Sequence, residues 1–276
     1  MEFDFFSRNG EVRPIEEASV PLSSVEYSYG FGVYESIRVV HGIPYFVADH
    51  IERLLDSTRE IALAHRFTAE FVGKSISELI TRNKTDTCNL KILLIGGRTQ
   101  DEATLYILCL NPLFPDKKLY RDGASCITVK YERMLPHAKT LNMLGSYLAY
   151  RKAREAGAYD ALLIDAEGRI TEGTRSNFFC MNGRTLYSPR EADILLGVTR
   201  KIVLKVAAGE GFEVVERDIR REDLPSYEGA FLTSTSSGIM SIASVDDFRF
   251  GAQPGELKRL MRALETFVEG SGGALK

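Results

Sequence analysis

The sequence contains few cysteines, and their positions argue against two kinds of site. Only four of the 276 residues are cysteines, and they are scattered at Cys88, Cys109, Cys126 and Cys180. None belongs to a CxxC pair or has a histidine at ligand spacing, so we expect no zinc or other metal site. The sequence instead predicts four reduced thiols in a cytoplasmic protein.

Long apolar runs and an excess of positive charge are also absent. No stretch approaches the roughly 20 apolar residues that a membrane-spanning helix needs. The first 14 residues include early acids and no apolar run, so we do not expect a signal peptide. The formal net charge is −3, whereas a nucleic-acid-binding surface usually requires a basic excess. The sequence therefore predicts neither a membrane nor a nucleic acid as a partner.

Strand and helix patterns occur together along the whole chain, which predicts an α+β protein with two domains. A strand is predicted over 33–40, a turn at HGIP, and then a helix capped by Asp49. Segment 111–123 has two prolines and mixed charge, as linkers do. We therefore predict an N-terminal domain over 1–115, a linker over 116–123 and a C-terminal domain over 124–276 that carries Lys139. Further predicted elements are helices over 68–82, 142–156 and 257–268, a helix from Thr199, and strands over 90–95, 104–110, 159–165 and 229–235.

Lys139 is the candidate nucleophile. A lone lysine is usually a solvated surface charge, but apolar side chains surround this one in sequence, including Leu135, Leu141 and Met143. An apolar pocket favours the neutral amine, which can attack a carbonyl group. That chemistry is what a Schiff base with pyridoxal 5′-phosphate (PLP) requires.

The segment ITEGTRSNFF, residues 170–179, contains a second candidate. Glu172 follows a predicted strand and precedes a glycine. Such a carboxylate is either an exposed turn residue or an acid that faces a cofactor ring nitrogen, where it would keep the ring protonated. Asn177 in the same segment is expected to fix local backbone geometry.

Three further segments offer groups for an anion. In ILLGVTRK, the residues Val198 and Thr199 lie at a predicted helix start, where free N–H groups and the helix dipole favour negative charge. A plain threonine N-cap would give the same pattern. The loop LTSTSSG offers hydroxyls and backbone amides. Arg53 would add positive charge if it points inward, although arginine on a helix is most often solvated.

The segment YGFGVYESIR, residues 29–38, has two glycines at a spacing that does not fit a dinucleotide-binding fingerprint. If 33–39 is a strand, Tyr34, Ser36 and Arg38 share one face because side chains alternate. That face suits a carboxylate pocket, and the alternative is simple exposure to solvent.

The order of these motifs resembles the fold type IV PLP enzymes, which include branched-chain aminotransferases, D-amino-acid aminotransferases and aminodeoxychorismate lyases. The resemblance covers nearly the whole chain, from YGFGVYESIR through DHIERLLDS, AKTLNMLGSYLA, EAGAYDALLID, ITEGTRSNFF and LLGVTRK to LTSTSSG. It implies PLP as cofactor, a two-domain α+β fold and a homodimer that acts on small amino acids and keto acids.

The resemblance also implies a role for each candidate. Lys139 forms the Schiff base, Glu172 contacts the pyridine nitrogen, and Leu195 packs under the ring. The phosphate is held by Arg53, Val198, Thr199 and Thr235, with Ser234 and Ser236 beside them. The positions that match the substrate pocket are Tyr29, Tyr34, Ser36 and Arg38, and Ser236 is also assigned to the substrate.

The implied reaction is ping-pong transamination between a branched-chain or related amino acid and a keto acid such as 2-oxoglutarate, with Lys139 as the base. Glu35 resembles the aminotransferases rather than the lyases. The Lys139 segment is most similar to D-amino-acid aminotransferases, but the loop IGGRTQD lacks their arginine and histidine arrangement and Arg98 is displaced. The alternatives are a lyase, a D-amino-acid aminotransferase and a PLP-free binding protein on the same fold.

Overall fold

The computed structural model describes residues 3–112 and 115–270. They form two compact units. The first unit contains the described residues up to 112 together with 138–143, and the second contains 115–137 and 144–270. Within these ranges, no helix has both the length and the apolar character needed to span a membrane.

The first unit is a six-stranded antiparallel sheet with two long helices, and its strand order is β2-β1-β6-β5-β3-β4. Its core lies where the side chains of both long helices pack against the sheet. The elements are β1 (Phe5–Arg8), β2 (Glu11–Pro14), α1 (Val25–Ser28), β3 (Gly32–Val40), β4 (Ile43–Pro44), α2 (Val47–Glu60), α3 (Ala69–Asn83), β5 (Cys88–Ile95) and β6 (Thr104–Leu110), with a 3-10 turn at Ile15–Glu17.

Strand β3 shows the alternation that its sequence predicts. Val33, Ile37 and Val39 are fully buried in the core, whereas the residues between them are half-buried on the opposite face. Glu35 follows the same alternation but is not apolar, because its carboxylate occupies a fully buried position on the core face. A buried charge must be paired, so this residue indicates a polar site inside the first unit.

The start of α2 differs from the prediction. We expected Asp49 to cap the helix, but the helix begins at Val47 and its N-cap is Phe46, which lies in the left-handed region with a φ of 51°. Asp49 instead lies in the first turn, where a negative charge interacts favourably with the helix dipole. The predicted Asp49 cap is therefore wrong by three positions.

The second unit is built on a nine-stranded mixed sheet. Eight strands follow the order β12-β11-β10-β13-β14-β7-β8-β9, and the ninth, β15, pairs with β14. Strand β9 also pairs with β10, so the strands from β10 to β9 form a closed ring. The elements are α4 (Lys117–Asp122), β7 (Ala124–Lys130), α5 (Leu144–Glu155), β8 (Asp160–Ile164), β9 (Ile170–Gly173), β10 (Asn177–Asn182), β11 (Thr185–Ser188), α6 (Val198–Gly209), β12 (Glu213–Glu216), β13 (Gly229–Ser234), β14 (Gly238–Val245), β15 (Phe248–Arg249) and α7 (Gly255–Gly270), with 3-10 turns at Glu191–Asp193 and Arg221–Ser226.

The division of the chain differs from the expected domains in two respects. Residues 138–143, with Lys139, belong to the first unit because Thr140 forms a β-bridge with Val33. Most of the expected linker over 116–123 is helix α4, whose first turn is capped by the Asp116 side chain accepting from the Lys118 amide at 2.8 Å. Residues 113 and 114 of the wider linker candidate lie outside the described residues. The first difference comes from a contact between residues far apart in the sequence, whereas the second is local, since Asp116 is a typical N-cap residue.

Candidate functional site

The backbone of Lys139 is fixed by two elements of the first unit. Its N–H donates to Ser57 Oγ at 3.1 Å, and its carbonyl accepts from the Tyr34 amide at 2.9 Å. Ser57 is fully buried on α2, and Tyr34 lies on β3. The Lys139 Nζ lies 4.6 Å from the centre of the Tyr34 ring, within the range of a cation–π contact. The half-buried lysine is therefore held against the strand that carries the predicted substrate residues.

The predicted substrate face is present on β3. Tyr34, Ser36 and Arg38 are all half-buried on the side opposite the core. Tyr29 is not part of this strand; it is the C-cap residue of α1 and is 81% exposed. The structure thus groups three of the four substrate candidates of this unit on one strand face, with Lys139 beside Tyr34.

Arg53 points inward, as the phosphate role would require, but its charge is matched by a buried carboxylate. Its Nε lies 2.6 Å from Glu35 Oε1, and its Nη2 donates to Glu35 Oε2 at 2.9 Å. Glu35 Oε2 also lies 2.8 Å from His50 Nδ1 and accepts from the Ser36 amide at 3.1 Å. We call Glu35, His50 and Arg53 the Glu35 network.

The Glu35 network keeps its carboxylate ionised. Burial acts to raise the pKa of Glu35, but the charges and hydrogen bonds of Arg53 and His50 outweigh it, and the pKa lies well below its ordinary value. Sequence reasoning used Glu35 only as a subfamily marker. The sequence does contain a pattern that could have predicted the network. Glu35 lies on the apolar face of a predicted strand, and His50 and Arg53 are three positions apart on a predicted helix, so they share one helix face.

Glu172, the candidate for the ring nitrogen, is only 4% exposed at β9 of the second unit. Its Oε1 accepts from Arg133 Nη1 at 3.0 Å, and its Oε2 accepts from the Leu195 amide at 3.3 Å. The interpretation of Glu172 as an exposed turn residue is therefore wrong. Arg133, which orients this carboxylate, was missed because no local pattern connects the two residues.

Asn177 holds the other side of Leu195. Its Nδ2 donates to the Leu195 carbonyl at 2.7 Å, and it pairs with Glu172 across β9 and β10. A side chain at Gly197 would place Cβ only 2.1 Å from Asn177 Oδ1, so this position requires glycine. Two polar side chains thus fix both backbone groups of Leu195 just before α6, and the expected backbone role of Asn177 is confirmed.

Asp160 shapes the turn between Glu172 and Asn177. It is fully buried and accepts from Thr174 Oγ1 at 2.5 Å and from Ser176 Oγ at 2.9 Å. Burial raises the pKa of Asp160, and these hydrogen bonds oppose that effect. The turn is therefore held by hydroxyl groups rather than by a cation at bonding distance.

The start of α6 offers hydrogen-bond donors to an anion. Gly197 is the N-cap, Val198 and Thr199 begin the helix, and its first turn contains no acid. In the turn after β13, the Ser234 hydroxyl lies 3.2 Å from Ser236 Oγ and 2.7 Å from Ser237 Oγ. Thr235 is half-buried in the same turn. Free N–H groups and hydroxyls of this kind are the donors that a phosphate needs.

The groups present in each unit fit PLP in type. The first unit has the amine of Lys139 and the guanidinium of Arg53, and the second has the carboxylate of Glu172 and the donors around α6. Among residues 3–112 and 115–270, no group of three His, Cys, Asp or Glu side chains is placed to hold a metal ion. The four cysteines are buried free thiols.

Comparison with known proteins identifies the family. The model of the amino-transferase class IV family matches residues 32–245. D-alanine aminotransferase of Bacillus licheniformis is 30% identical over 274 residues, covering 94% of this chain and 95% of that protein. A putative branched-chain-amino-acid aminotransferase of Methanocaldococcus jannaschii is 31% identical over 252 residues and covers 86% of both chains.

Solved structures show the same fold. The T.th. branched-chain amino acid aminotransferase with pyridoxamine 5′-phosphate has a TM-score of 0.90 at 27% identity, covering 98% of this chain and 95% of that one. The branched-chain aminotransferase of Thermoproteus uzoniensis with norvaline has a TM-score of 0.88 at 27% identity, covering 96% of this chain and 95% of that one.

The Glu35 network predicts a specific pH dependence of stability. Because the pKa of Glu35 is lowered on folding, its contribution is complete above the ordinary glutamate value near pH 4.5 and is lost as the pH falls further. Glu35→Gln should lower the free energy of unfolding by about 3–5 kcal/mol at pH 7. The difference from the parent should shrink as the pH falls from 4.5 to about 3. Denaturant unfolding at each pH measures it.

Asp122→Asn is the control for this series. Asp122 also has a lowered pKa, because its carboxylate bonds the neighbouring Arg121 side chain, but the pair is exposed to solvent. Exposed pairs contribute little to stability, so this variant should follow the parent at every pH. A constant difference between Glu35→Gln and the parent would contradict the prediction.

Proposed function

Because the chain belongs to the class IV aminotransferase family and is a PLP-dependent aminotransferase, we propose that it transfers an amino group from a branched-chain or related amino acid to a keto acid such as 2-oxoglutarate. The observation that carries the proposal is the position of Lys139. Its backbone is anchored to β3 and α2, and its amine lies against Tyr34 on the strand that bears Ser36 and Arg38.

In this proposal, Lys139 holds the cofactor and moves the proton of the substrate. Bound PLP supplies an electron sink for the negative charge left at the substrate α-carbon. With the cofactor bound, the Lys139 amine would take the α-proton of the substrate as a general base and would donate a proton as a general acid later in the reaction. Two rigid anchors on its backbone limit how far the amine can move, which keeps the proton transfer short.

Glu172 is proposed to keep a proton on the ring nitrogen. A charge-assisted hydrogen bond from an ionised carboxylate is the interaction that such a proton needs. Arg133 supports this role because it donates to one carboxylate oxygen and so orients the carboxylate. Leu195, whose backbone is held by Glu172 and Asn177, is proposed to pack under the ring.

The phosphate is proposed to be bound mainly by neutral donors. Val198 and Thr199 offer N–H groups at the start of α6, and Ser234 and Thr235 offer hydroxyls in the turn after β13. Arg53 is the proposed cationic member, and its charge is already balanced by Glu35. The neutral donors and the direction of the Arg53 N–H groups therefore matter more than net charge.

Tyr34, Ser36 and Arg38 are proposed to contact the substrate, with Tyr29 and Ser236 as further members. A ping-pong enzyme must accept two substrates in one site. An arginine beside tyrosine can bind a carboxylate or turn aside while the ring offers apolar surface. We also propose a homodimer, as the resemblance implies.

A substrate screen tests this function. We expect transfer from L-leucine, L-isoleucine or L-valine to 2-oxoglutarate, measured as glutamate formed. The 30% identity to a D-alanine aminotransferase makes D-amino acids with pyruvate or 2-oxoglutarate the second candidate, and activity with these alone would contradict the proposal. Pyruvate released from aminodeoxychorismate without a keto-acid acceptor would instead indicate the lyase.

The role of Lys139 is directly measurable. Borohydride reduction of the PLP-loaded protein should attach a pyridoxyl group to Lys139, and peptide mass spectrometry locates it. Lys139→Ala should lose the label and turnover, because the substitution removes the amine that lies against Tyr34. Lys74→Ala, at an exposed site on α3, is the control and should keep both. Label on another lysine would overturn the assignment.

Arg38 should discriminate between the two half-reactions. Arg38→Ala should slow the half-reaction with 2-oxoglutarate more than that with leucine or valine, by about 1.5–3 kcal/mol if the contact is a charged hydrogen bond. Single-turnover rates for each substrate measure the difference. Arg151→Ala, on an exposed part of α5, should change neither rate. Equal losses for both substrates would remove Arg38 from a role in carboxylate recognition.

A further inference from the structure

The buried carboxylate of Glu35 has no part in the reaction described above, yet its surroundings are unusually polar for a core. Its side chain has 0% exposure and lies within hydrogen-bond distance of His50 Nδ1, of Arg53 Nε and Nη2, and of the Ser36 amide. On the same face of β3, its neighbours are Val33 and Ile37, both fully buried. An ion therefore replaces an apolar side chain in the middle of the core.

Stability alone does not explain this arrangement. Two buried charges lose most of their hydration, and replacing such a pair with well-packed apolar residues is often neutral or stabilising. Apolar residues already occupy the flanking core positions of β3. The reason for the ion pair must therefore be sought in its effect on Arg53. The guanidinium of this residue is the part of the pair that reaches solvent, and 12% of the Arg53 side chain is exposed.

We propose that Glu35 is a positioning residue that orients Arg53 toward the cofactor phosphate and so makes the site select the phosphorylated cofactor. The proposal rests on the PLP function above. Two parallel contacts, to Nε and Nη2, fix the plane of the guanidinium, and such bidentate pairs add geometric specificity as well as energy. His50, one helical turn before Arg53, fixes the carboxylate in turn.

The same strand connects this network to the lysine. The Ser36 amide donates to Glu35, and Tyr34, two positions earlier, donates its amide to the Lys139 carbonyl. On α2, the Ser57 hydroxyl donates to the Arg53 carbonyl at 2.8 Å and accepts from the Lys139 amide. Arg53 and Lys139 are thus held to the same two elements, so the network can set the direction of the guanidinium relative to the amine.

The test compares two ligands that differ only in the phosphate. Pyridoxamine 5′-phosphate and pyridoxamine bind without a covalent link to Lys139, and the ratio of their dissociation constants isolates the phosphate contribution. In Glu35→Gln, one carboxylate oxygen becomes an NH₂ group that faces N–H donors. We expect the preference for the phosphorylated ligand to fall at least about tenfold, equivalent to ~1.4 kcal/mol, while pyridoxamine affinity stays within about twofold.

A double-mutant cycle separates positioning from a general effect on the fold. If Glu35 acts through Arg53, Glu35→Gln should have no further effect on the ratio in an Arg53→Met background. Additive losses of the preference in the double variant would mean that Glu35 acts independently of Arg53. An unchanged or increased preference in Glu35→Gln would mean that the Glu35 charge merely opposes the phosphate. Equal weakening of both ligands would mean a purely structural role. Each of these results overturns the proposal.

Asp165→Asn is the matched control. Asp165 Oδ2 lies 2.6 Å from Arg169 Nε, the same distance as in the Glu35–Arg53 pair, and its side chain is 3% exposed. This variant breaks a comparable pair in the second unit and should leave the ratio of the two dissociation constants unchanged. A change in that ratio as large as the change in Glu35→Gln would overturn the proposal.

Two further outcomes are distinguishable. If Glu35→Gln does not fold, the cycle is repeated with Glu35→Asp, which keeps the charge but is one methylene too short for the same contacts, and a smaller fall in the ratio is expected. An unchanged ratio there overturns the proposal. If the parent binds neither ligand, the PLP function itself fails, and this proposal falls with it.

Discussion

The hydrogen bond from the Tyr34 amide to the Lys139 carbonyl fixes the backbone of the proposed nucleophile in the first unit. It places the lysine beside a β-strand whose alternation separates an apolar core face from a half-buried polar face. The Ser57 hydroxyl adds a second anchor from α2. Because both anchors act on the backbone, the Lys139 side chain remains available for chemistry while its origin is fixed. Segment 138–143 is therefore part of the first unit, although residues of the second unit lie on both sides of it in the sequence, at 115–137 and from 144 onward.

The second unit follows the same rule with different groups. Glu172 and Asn177 lie opposite each other on β9 and β10, and together they hold the amide and the carbonyl of Leu195. Asp160 fixes the turn that joins those strands through hydroxyl groups. The chain just before α6 is consequently held by hydrogen bonds at Leu195, and Gly197 has no room for a side chain. The position of the helix start thus depends on Glu172 and Asn177, which hold Leu195 just before it.

Local periodicity was enough to predict most elements, including the alternation of β3 and the helix that the structure places at Ala69–Asn83. These features depend on residues close in sequence, where a period of 2 or 3.6 determines which side chains face the core. The pairings Arg133–Glu172 and Glu35–Arg53 join residues 39 and 18 positions apart. The membership of Lys139 in the first unit likewise depends on the bridge between Thr140 and Val33, which lie far apart in the sequence. No local pattern encodes such contacts.

The left-handed Phe46 at the start of α2 was missed for a different reason, since a non-glycine residue with positive φ is uncommon.

The two missed ion pairs share a physical logic. Arg53 and Arg133 are both partly buried, and each lies beside a carboxylate that is almost completely buried. The two charges of such a pair largely cancel, so the pair adds little net charge to its surroundings. It therefore exerts little long-range electrostatic attraction on a phosphate or a ring nitrogen. What they provide is a fixed direction for donors and acceptors, because a paired group loses the freedom to rotate. A PLP enzyme needs that property, since the cofactor's reactivity depends on which groups contact the ring nitrogen and at what angle, more than on the total charge nearby. From the sequence alone, Arg53 is expected to act as a source of charge, whereas in the folded protein its guanidinium is paired with Glu35 and its orientation is fixed by that pair.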